Sequence, residues 1–360
     1  MASDKLISAD SHVSEPTDLW VERVKKRYRD RAPRLVENPK DPKGAYFYYE
    51  GYAPHPIGIG LGAGKSAEEL AKFLTQGTYA DARPGGWDPA ERLKDNELDG
   101  VEADVLYTTL GFRIFWLKDA GLQEDCFRVY NDWLAAYCSY APKRMAGLAM
   151  ISLYDPKAGA RELERCAKRG LKGAMIWCSP PADQPYSSTV YDTFWAAAEA
   201  MHMPISLHSI TGMGHESQWD FGDRYMRATV LSHEVERSFS VLIFSGVLDR
   251  FPDLQIVSAE NNCGLAALLP AAHGSHVRAQ PLRGRLHDQD EAERVLPAPD
   301  ALHVHRRLRG RRQPPLRRRR PDDVVLRLSA PGVVVAAFSG RRRARLQGGE
   351  RRGSFQDHPG

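Results

Sequence analysis

The chain has 360 residues, of which 42% are hydrophobic and 9% aromatic, a composition that is ordinary for a globular protein and sufficient for a sizeable core. The formal net charge of +4 is divided unevenly, at about −7 for residues 1–264 and about +11 for residues 265–360. No stretch approaches the roughly 18 apolar residues of a membrane span, and no basic-then-apolar signal segment is present, so we expect a cytoplasmic protein without a membrane partner.

Leu6 to Pro16 predicts a short strand that ends in polar residues. Its sequence, LISADSHVSEP, presents Asp10 and His12 two residues apart. Side chains at i and i+2 leave a strand on the same face, so the carboxylate and the imidazole point at one spot. The pair could hold a metal ion, although the same pattern also fits a solvated strand end.

Residues 31–87 form a long Gly- and Pro-rich segment after this strand. Loops of this length inside a compact domain are usually functional or mobile. We interpret the segment as a lid over the strand ends, and the alternative is a surface excursion.

From Lys5 to Glu260, short apolar runs alternate with helical patterns, which is typical of a parallel sheet. Asp88-Pro89 and Asp155-Pro156 each place a capping carboxylate before a proline at the first helical position. The apolar runs are Leu6–Ala9, Ala103–Tyr107, Ala146–Ile151, Gly173–Trp177, Ile205–His208 and Gln255–Ala259.

Six strands fit either a doubly wound sheet or three quarters of an eight-stranded β/α barrel. No Gly-x-Gly-x-x-Gly turn follows the first strand, which weakens a dinucleotide-binding interpretation. Polar residues follow the strands, with His208 ending the fifth and Glu260 the sixth. In β/α-barrel enzymes the catalytic residues lie at these C-terminal ends of the strands.

The five cysteines are widely spaced, odd in number and without a Cys-x-x-Cys pair. They predict reduced, mostly buried thiols rather than a disulfide framework or a zinc–thiolate cluster.

Three stretches resemble the amidohydrolase-related metal-dependent hydrolases, a group that includes amino-carboxymuconate-semialdehyde decarboxylase and aromatic-acid decarboxylases. They are ADSHVSEP, PISLHSITG and FSGVLDRFPDLQIVSAENNCG, and the resemblance covers about residues 5–264. It implies a metal-dependent TIM (β/α)8 barrel, a small-molecule substrate, and a homodimer or larger assembly.

By this resemblance, Asp10, His12 and His208 are metal ligands, and the fourth ligand is an aspartate from strand eight. The carboxylate at Asp10, where many relatives have histidine, is compatible with zinc or manganese, with magnesium as an alternative. Related decarboxylases usually present a catalytic histidine at the end of strand six, where this chain has Glu260.

Each candidate also has a structural interpretation. His208 alone could be a hydrogen-bonded core histidine, and Glu260 could form a salt bridge with an arginine instead of serving as a catalytic acid or base. His233, on a predicted helix, is a second catalytic candidate that could face either the site or the solvent. Trp20 and Trp116 could line an aromatic pocket or fill the core.

Residues 265–360 differ from the rest of the chain in amino-acid composition. They contain 20 arginines against nine Asp and Glu, and no Lys, Ile, Met, Trp, Tyr, Asn, Thr or Cys. A disordered basic arm that binds nucleic acid is one interpretation, but no binding module is recognisable, so we do not expect a nucleic-acid partner.

Translation out of frame explains the tail better. Permitted codons for Leu265–His276, read one base later, encode Trp-Leu-Pro-Tyr-Phe-Leu-Gln-Arg-Met-Asp-His. The same shift over Val324–Gly332 gives Trp-Ser-Ser-Asp-Tyr-Pro-His-Pro, which resembles the family's eighth strand with its aspartate. We therefore expect residues 1–264 to be a barrel truncated after about six strands, followed by a disordered, frameshifted tail.

The sequence thus predicts a divalent-metal-dependent hydrolase that acts on a small cyclic or aromatic carboxylate through metal-activated water. A non-oxidative, metal-dependent decarboxylase is the alternative. In the hydrolase, Glu260 would transfer the proton. The 360-residue chain lacks the last two barrel strands and is therefore expected to be poorly soluble or inactive.

Overall fold

Residues 6–38, 41–212 and 224–261 and the strand at 334–338 are described by a computed structural model of the chain. The strands are β1 (Leu6–His12), β2 (Arg34–Asn38), β3 (Asp41–Tyr48), β4 (His55–Pro56), β5 (Val101–Tyr107), β6 (Met145–Met150), β7 (Gly173–Ile176), β8 (Ile205–His208), β9 (Ile256–Asn261) and β10 (Val334–Phe338). The helices are α1 (Leu19–Arg23), α2 (Ala67–Gln76), α3 (Pro89–Asp99), α4 (Ala120–Cys138), α5 (Pro156–Lys168), α6 (Asp192–Ala200), α7 (Arg224–Phe244) and α8 (Val247–Arg250).

Six parallel strands form the predicted barrel portion, in the order β1-β5-β6-β7-β8-β9. Every residue of β7 and of β8 is buried, as expected where helices cover one face of a parallel sheet and the barrel interior covers the other. The fold is therefore a nearly closed β/α barrel that is truncated after its sixth strand.

Two helix starts follow the predicted capping chemistry. The Asp88 carboxylate accepts hydrogen bonds from the Ala90 and Glu91 backbone amides at the start of α3, and Asp155 accepts one from Lys157 at the start of α5. Both helices have proline in the first turn, where no amide donor is required. These helices return the chain across the sheet between successive strands.

The segment 31–87 carries more secondary structure than its composition indicates. It contains the antiparallel sheet β2-β3-β4 and helix α2. Gly44 lies in β3 because a Cβ atom there would collide with the Thr75 carbonyl of α2. The segment packs on the barrel through Phe47, which is buried against Trp20.

The tail contributes one described strand, β10, which pairs antiparallel with β9 from Val334↔Asn261 to Phe338↔Ile256. Apart from β10, residues 262–360 lie outside the described residues, and so does the predicted disorder of the tail. Within the described part, β1 and β10 each pair with a single neighbour. The expected seventh barrel strand would run parallel to β9, whereas β10 runs antiparallel.

Four cysteines are free and buried, as predicted: Cys126, Cys138, Cys166 and Cys178. Burial raises the pKa of the Cys138 thiol to about 12, so this thiol stays protonated and unreactive. Across the described ranges, no helix is long and apolar enough to cross a bilayer.

Candidate metal centre

Asp10, His12 and His208 converge at the C-terminal ends of two strands. The His12 Nε2 atom lies 3.3 Å and the His208 Nε2 atom 3.7 Å from Asp10 Oδ1. Ligand atoms from all three residues lie within 4.8 Å of one another. Because β5, β6 and β7 separate β1 from β8 in the sheet, the curvature of the barrel brings these side chains together.

A register shift in β1 sets the direction of the first pair. Ser8 pairs with Asp104 but Ser11 pairs with Leu106, so β1 has one more residue than β5 over this interval. Bulges of this kind redirect side chains and are common beside active sites. Asp10 lies within the shifted interval.

His12 is held in one tautomer. Its Nδ1 atom lies 2.8 Å from the Thr108 carbonyl oxygen, directly after β5. A carbonyl only accepts hydrogen bonds, so Nδ1 carries the proton and Nε2 is left with a lone pair directed at Asp10.

His208 is oriented in the same way by its own backbone. Its Nδ1–H donates to the Ser209 carbonyl oxygen at 3.0 Å, which leaves a lone pair on Nε2. This Nε2 and Asp10 Oδ1 are both buried, and neither has a hydrogen-bond partner among the described residues. Buried polar atoms without partners are costly.

The electrostatics of the three residues favour a positive charge between them. Burial alone would raise the pKa of Asp10, but His12 and His208 hold it well below its usual range. Burial alone would lower the pKa of His12, but the adjacent Asp10 carboxylate raises it. Three lone-pair atoms repel one another unless a cation lies among them, so the donor set fits a divalent metal ion.

Glu260 lies beside this group at the end of β9. Its side chain is 44% exposed, and its Oε2 atom is 3.7 Å from His208 Nδ1. Ser209 Oγ donates to the same oxygen at 2.7 Å. Among the described residues Glu260 therefore contacts Ser209 and His208, and it does not form the salt bridge with an arginine that was the structural alternative.

His233 is not brought to the group. It lies exposed on α7, whereas the next residue, Glu234, is buried and its Oε2 atom is 3.6 Å from the Cys178 thiol. The inward face of α7 therefore carries Glu234. A catalytic role for His233 stays a prediction.

Two aromatic rings, Phe112 and Tyr107, pack against the histidines and were not predicted from the sequence. The Phe112 ring lies 4.4 Å from the His208 ring and 5.6 Å from the His12 ring, and Tyr107 lies 4.9 Å from His208. Phe112 belongs to a 3-10 helix, Leu110–Trp116, whose three-residue turns do not give the α-helical spacing.

The two tryptophan candidates differ in burial and in their distance from the candidate site. Trp20 is a core residue, 1% exposed, and donates to the Cys126 carbonyl. Trp116 is half-buried and donates to the Ile210 carbonyl at 2.8 Å, two residues after His208. Only Trp116 therefore lies close to the candidate site.

Two residues with left-handed backbone flank the site. Ile210 has a φ of 76° and Glu260 a φ of 54°. This conformation is costly for residues other than glycine, above all for a β-branched side chain. Strained backbone of this kind is concentrated at functional sites.

The amidohydrolase family model matches residues 18–281. The match includes His208 and Glu260, begins after Asp10 and His12, and extends past residue 264. A solved amidohydrolase from Mycobacterium avium subsp. paratuberculosis K-10 has the same fold, with a TM-score of 0.59 at 18% identity over 72% of this chain and 73% of that chain.

Two curated relatives are decarboxylases. Gamma-resorcylate decarboxylase from Rhodococcus jostii (strain RHA1) is 30% identical over 156 residues, covering 40% of this chain and 47% of the relative. 2-Amino-3-carboxymuconate-6-semialdehyde decarboxylase from Dictyostelium discoideum is 24% identical over 193 residues, covering 52% of each. The chain thus spans about half the length of the curated relatives it matches.

Proposed function

The chain belongs to the amidohydrolase family, and on that premise we propose that it is a metal-dependent decarboxylase of a small aromatic or cyclic acid. The observation that carries the proposal is the convergence of Asp10, His12 and His208 in a chain whose curated relatives are decarboxylases. The alternative reaction predicted from the sequence is therefore preferred over hydrolysis.

Asp10, His12 and His208 would hold the divalent ion. Two imidazole nitrogens and one carboxylate oxygen suit zinc or manganese, with magnesium as a weaker fit because it prefers oxygen ligands. The bound ion would supply Lewis acidity that withdraws charge from the oxygens of the substrate.

The side chains around the ion would carry out the remaining steps. The flat substrate ring would lie against Phe112, whose ring covers His208. The ring carbon that bears the carboxylate would first take a proton, and Glu260 is the candidate donor because it lies exposed at the site. The bond to the carboxyl group would then break, its electron pair would restore the aromatic ring, and carbon dioxide would leave.

The test is carbon dioxide release from dihydroxybenzoic acids by protein expressed in the restored reading frame and loaded with Mn²⁺ or Zn²⁺, because the chain without its last strands is expected to be inactive. We expect release that a chelator abolishes and that restored metal recovers. Metal-dependent turnover of esters, lactones or amides without carbon dioxide release would contradict decarboxylation and support the hydrolase.

Hydrolysis is the second candidate because of the residue that ends β9. A carboxylate, Glu260, stands where related decarboxylases usually present histidine, and its exposure allows it to accept a proton from attacking water. A homodimer or larger assembly and the absence of a nucleic-acid partner stay predictions. Salt-sensitive DNA binding lost on deletion of residues 265–360 would contradict the second and support the remote alternative of a nucleic-acid binder.

A further inference from the structure

Glu15 is a carboxylate with no exposed surface, three residues after His12. Its two oxygens accept four hydrogen bonds from four consecutive residues. The donors are the Thr108 hydroxyl and the backbone amides of Thr109 at 3.2 Å, Leu110 at 2.9 Å and Gly111 at 3.3 Å. A buried carboxylate is costly unless it is satisfied in this way, so Glu15 and this turn fix each other's position.

The turn that Glu15 holds also touches two of the three candidate ligands. The Thr108 carbonyl accepts the hydrogen bond from His12 Nδ1 at 2.8 Å. Phe112, the next residue after the turn, lies against the His208 ring at 4.4 Å. Any change in the turn therefore reaches both imidazoles.

We propose that Glu15 is a positioning residue that keeps His12 in its Nδ1–H tautomer by fixing the Thr108 carbonyl. The inference rests on the proposed metal centre, because only the Nδ1–H tautomer presents the Nε2 lone pair to an ion beside Asp10. Without the carboxylate, four buried donors would lack their acceptor, and the turn would rearrange to find others.

The decisive variant is Glu15→Gln, which keeps the volume but replaces one accepting oxygen with a donor that faces other donors. Asp125→Asn is the matched control. Asp125 is likewise buried, accepts the Lys25 amide at 2.7 Å and pairs with the Lys25 ammonium at 3.0 Å. Asp125 contacts none of the three candidate ligands in the described residues.

The readout is the ¹⁵N spectrum of histidine imidazoles in metal-free protein, at a pH at which they are neutral. In the unchanged chain we expect His12 and His208 each to show one protonated and one unprotonated nitrogen. In Glu15→Gln the two His12 signals should move toward each other as both tautomers become populated. His208 should keep one protonated and one unprotonated nitrogen, because its Nδ1 partner is the Ser209 carbonyl, and Asp125→Asn should alter the tautomer of neither histidine.

A Mn²⁺ titration provides the second readout. Glu15→Gln should raise the dissociation constant about 10-fold or more, which is the usual cost of removing a partner behind a metal ligand. Asp125→Asn should leave the constant unchanged. If Glu15 had only a structural role, Glu15→Gln would lower stability, as Asp125→Asn does, without moving the His12 tautomer.

A single Nδ1–H tautomer of His12 in folded Glu15→Gln overturns the inference, whatever metal binds. If the unchanged chain binds no Mn²⁺ but its His12 tautomer responds to Glu15→Gln, the proposed function fails while the positioning role stands. If circular dichroism shows Glu15→Gln to be unfolded, Thr108→Val decides, since it removes the hydroxyl donor to Glu15 but keeps the carbonyl. Thr108→Val should shift the His12 signals in the same direction, and an unchanged tautomer there overturns the inference.

Discussion

His12 and His208 show how backbone carbonyls prepare a site for a cation. Each imidazole donates its Nδ1 proton to a carbonyl oxygen, of Thr108 and Ser209 respectively, and both Nε2 atoms are left facing Asp10. The spacing of Asp10 and His12 predicts their shared direction because strand periodicity is local. The Thr108 partner of His12 is not predictable from the sequence, because it depends on where β5, from a distant part of the chain, ends.

Glu260→Gln tests the role of the residue that ends β9. The amide cannot donate or accept a proton at the reacting carbon, so we expect turnover to fall by about 10²- to 10⁴-fold. The metal content should stay the same because Glu260 is not among the three ligands. Glu68→Gln, at an exposed position on α2, is the control. Unchanged turnover in Glu260→Gln would exclude Glu260 as the proton donor.

At the scale of elements, the barrel strands follow the predicted apolar runs within a few residues. The agreement is expected above all for a central strand such as β7, which is buried on both faces and apolar throughout. The sheet β2-β3-β4 was not predicted. Its strand β3 contains Pro42 and Gly44, residues that are rare in strands, and its glycine is required only by the close approach of α2. Tertiary packing, which a local pattern does not encode, explains this element.

Trp116→Phe tests the link between the 3-10 helix and the loop after β8. The variant keeps the ring but loses the hydrogen bond to Ile210, so unfolding in urea should require about 1 kcal/mol less. Trp20→Phe loses a comparable bond to Cys126 and also leaves a cavity in the core, so it should cost more. Only Trp116→Phe should also raise KM, and equal KM values in the two variants would place Trp116 outside the substrate pocket.

His55 makes the stability of the β2-β3-β4 sheet sensitive to acid. Burial, assisted by the charge of Arg113, lowers the pKa of His55 from 6.5 to about 4. Below the unfolded pKa the unfolded chain takes up a proton that the folded chain does not, so stability is lost as the pH falls from 6.5 to about 4. The loss should amount to about 2 kcal/mol for this partly exposed residue.

The measurement is the free energy of unfolding of the unchanged chain and of His55→Phe across this pH range. Phenylalanine preserves the ring packing with Phe47 and Tyr49 and does not titrate. The unchanged chain should lose stability relative to His55→Phe as the pH falls. Parallel curves would show that His55 does not titrate abnormally.

At the scale of the whole molecule, the barrel ends after six parallel strands and is followed by an antiparallel strand. β10 occupies the edge of β9, where a complete barrel would place a parallel seventh strand. The sequence predicts the truncation because the β/α alternation stops, while the pairing of β10 is a long-range contact without a local signal. We propose that a one-base insertion near the codon for Gly264 put residues 265–360 out of frame, which would account for the missing strands.

Restoring the reading frame tests that explanation. A version with the inserted base removed near the codon for Gly264 should be more soluble and should hold more metal than the 360-residue chain, because it regains the last two strands and their aspartate. Equal solubility and metal content in the two proteins would contradict the explanation. An uninterrupted frame for residues 265–360 in independently sequenced DNA would also contradict it.

The most direct test of the central claim is the metal content of the purified chain and of its His208→Ala variant after loading with Mn²⁺ or Zn²⁺ and desalting. We expect measurable bound metal in the unchanged protein, below the content of the frame-restored version, and a loss of most of it in His208→Ala. His202→Asn, at an exposed histidine in a left-handed turn, should keep the ion. Equal metal content in the unchanged chain and in folded His208→Ala would contradict a metal centre formed by Asp10, His12 and His208.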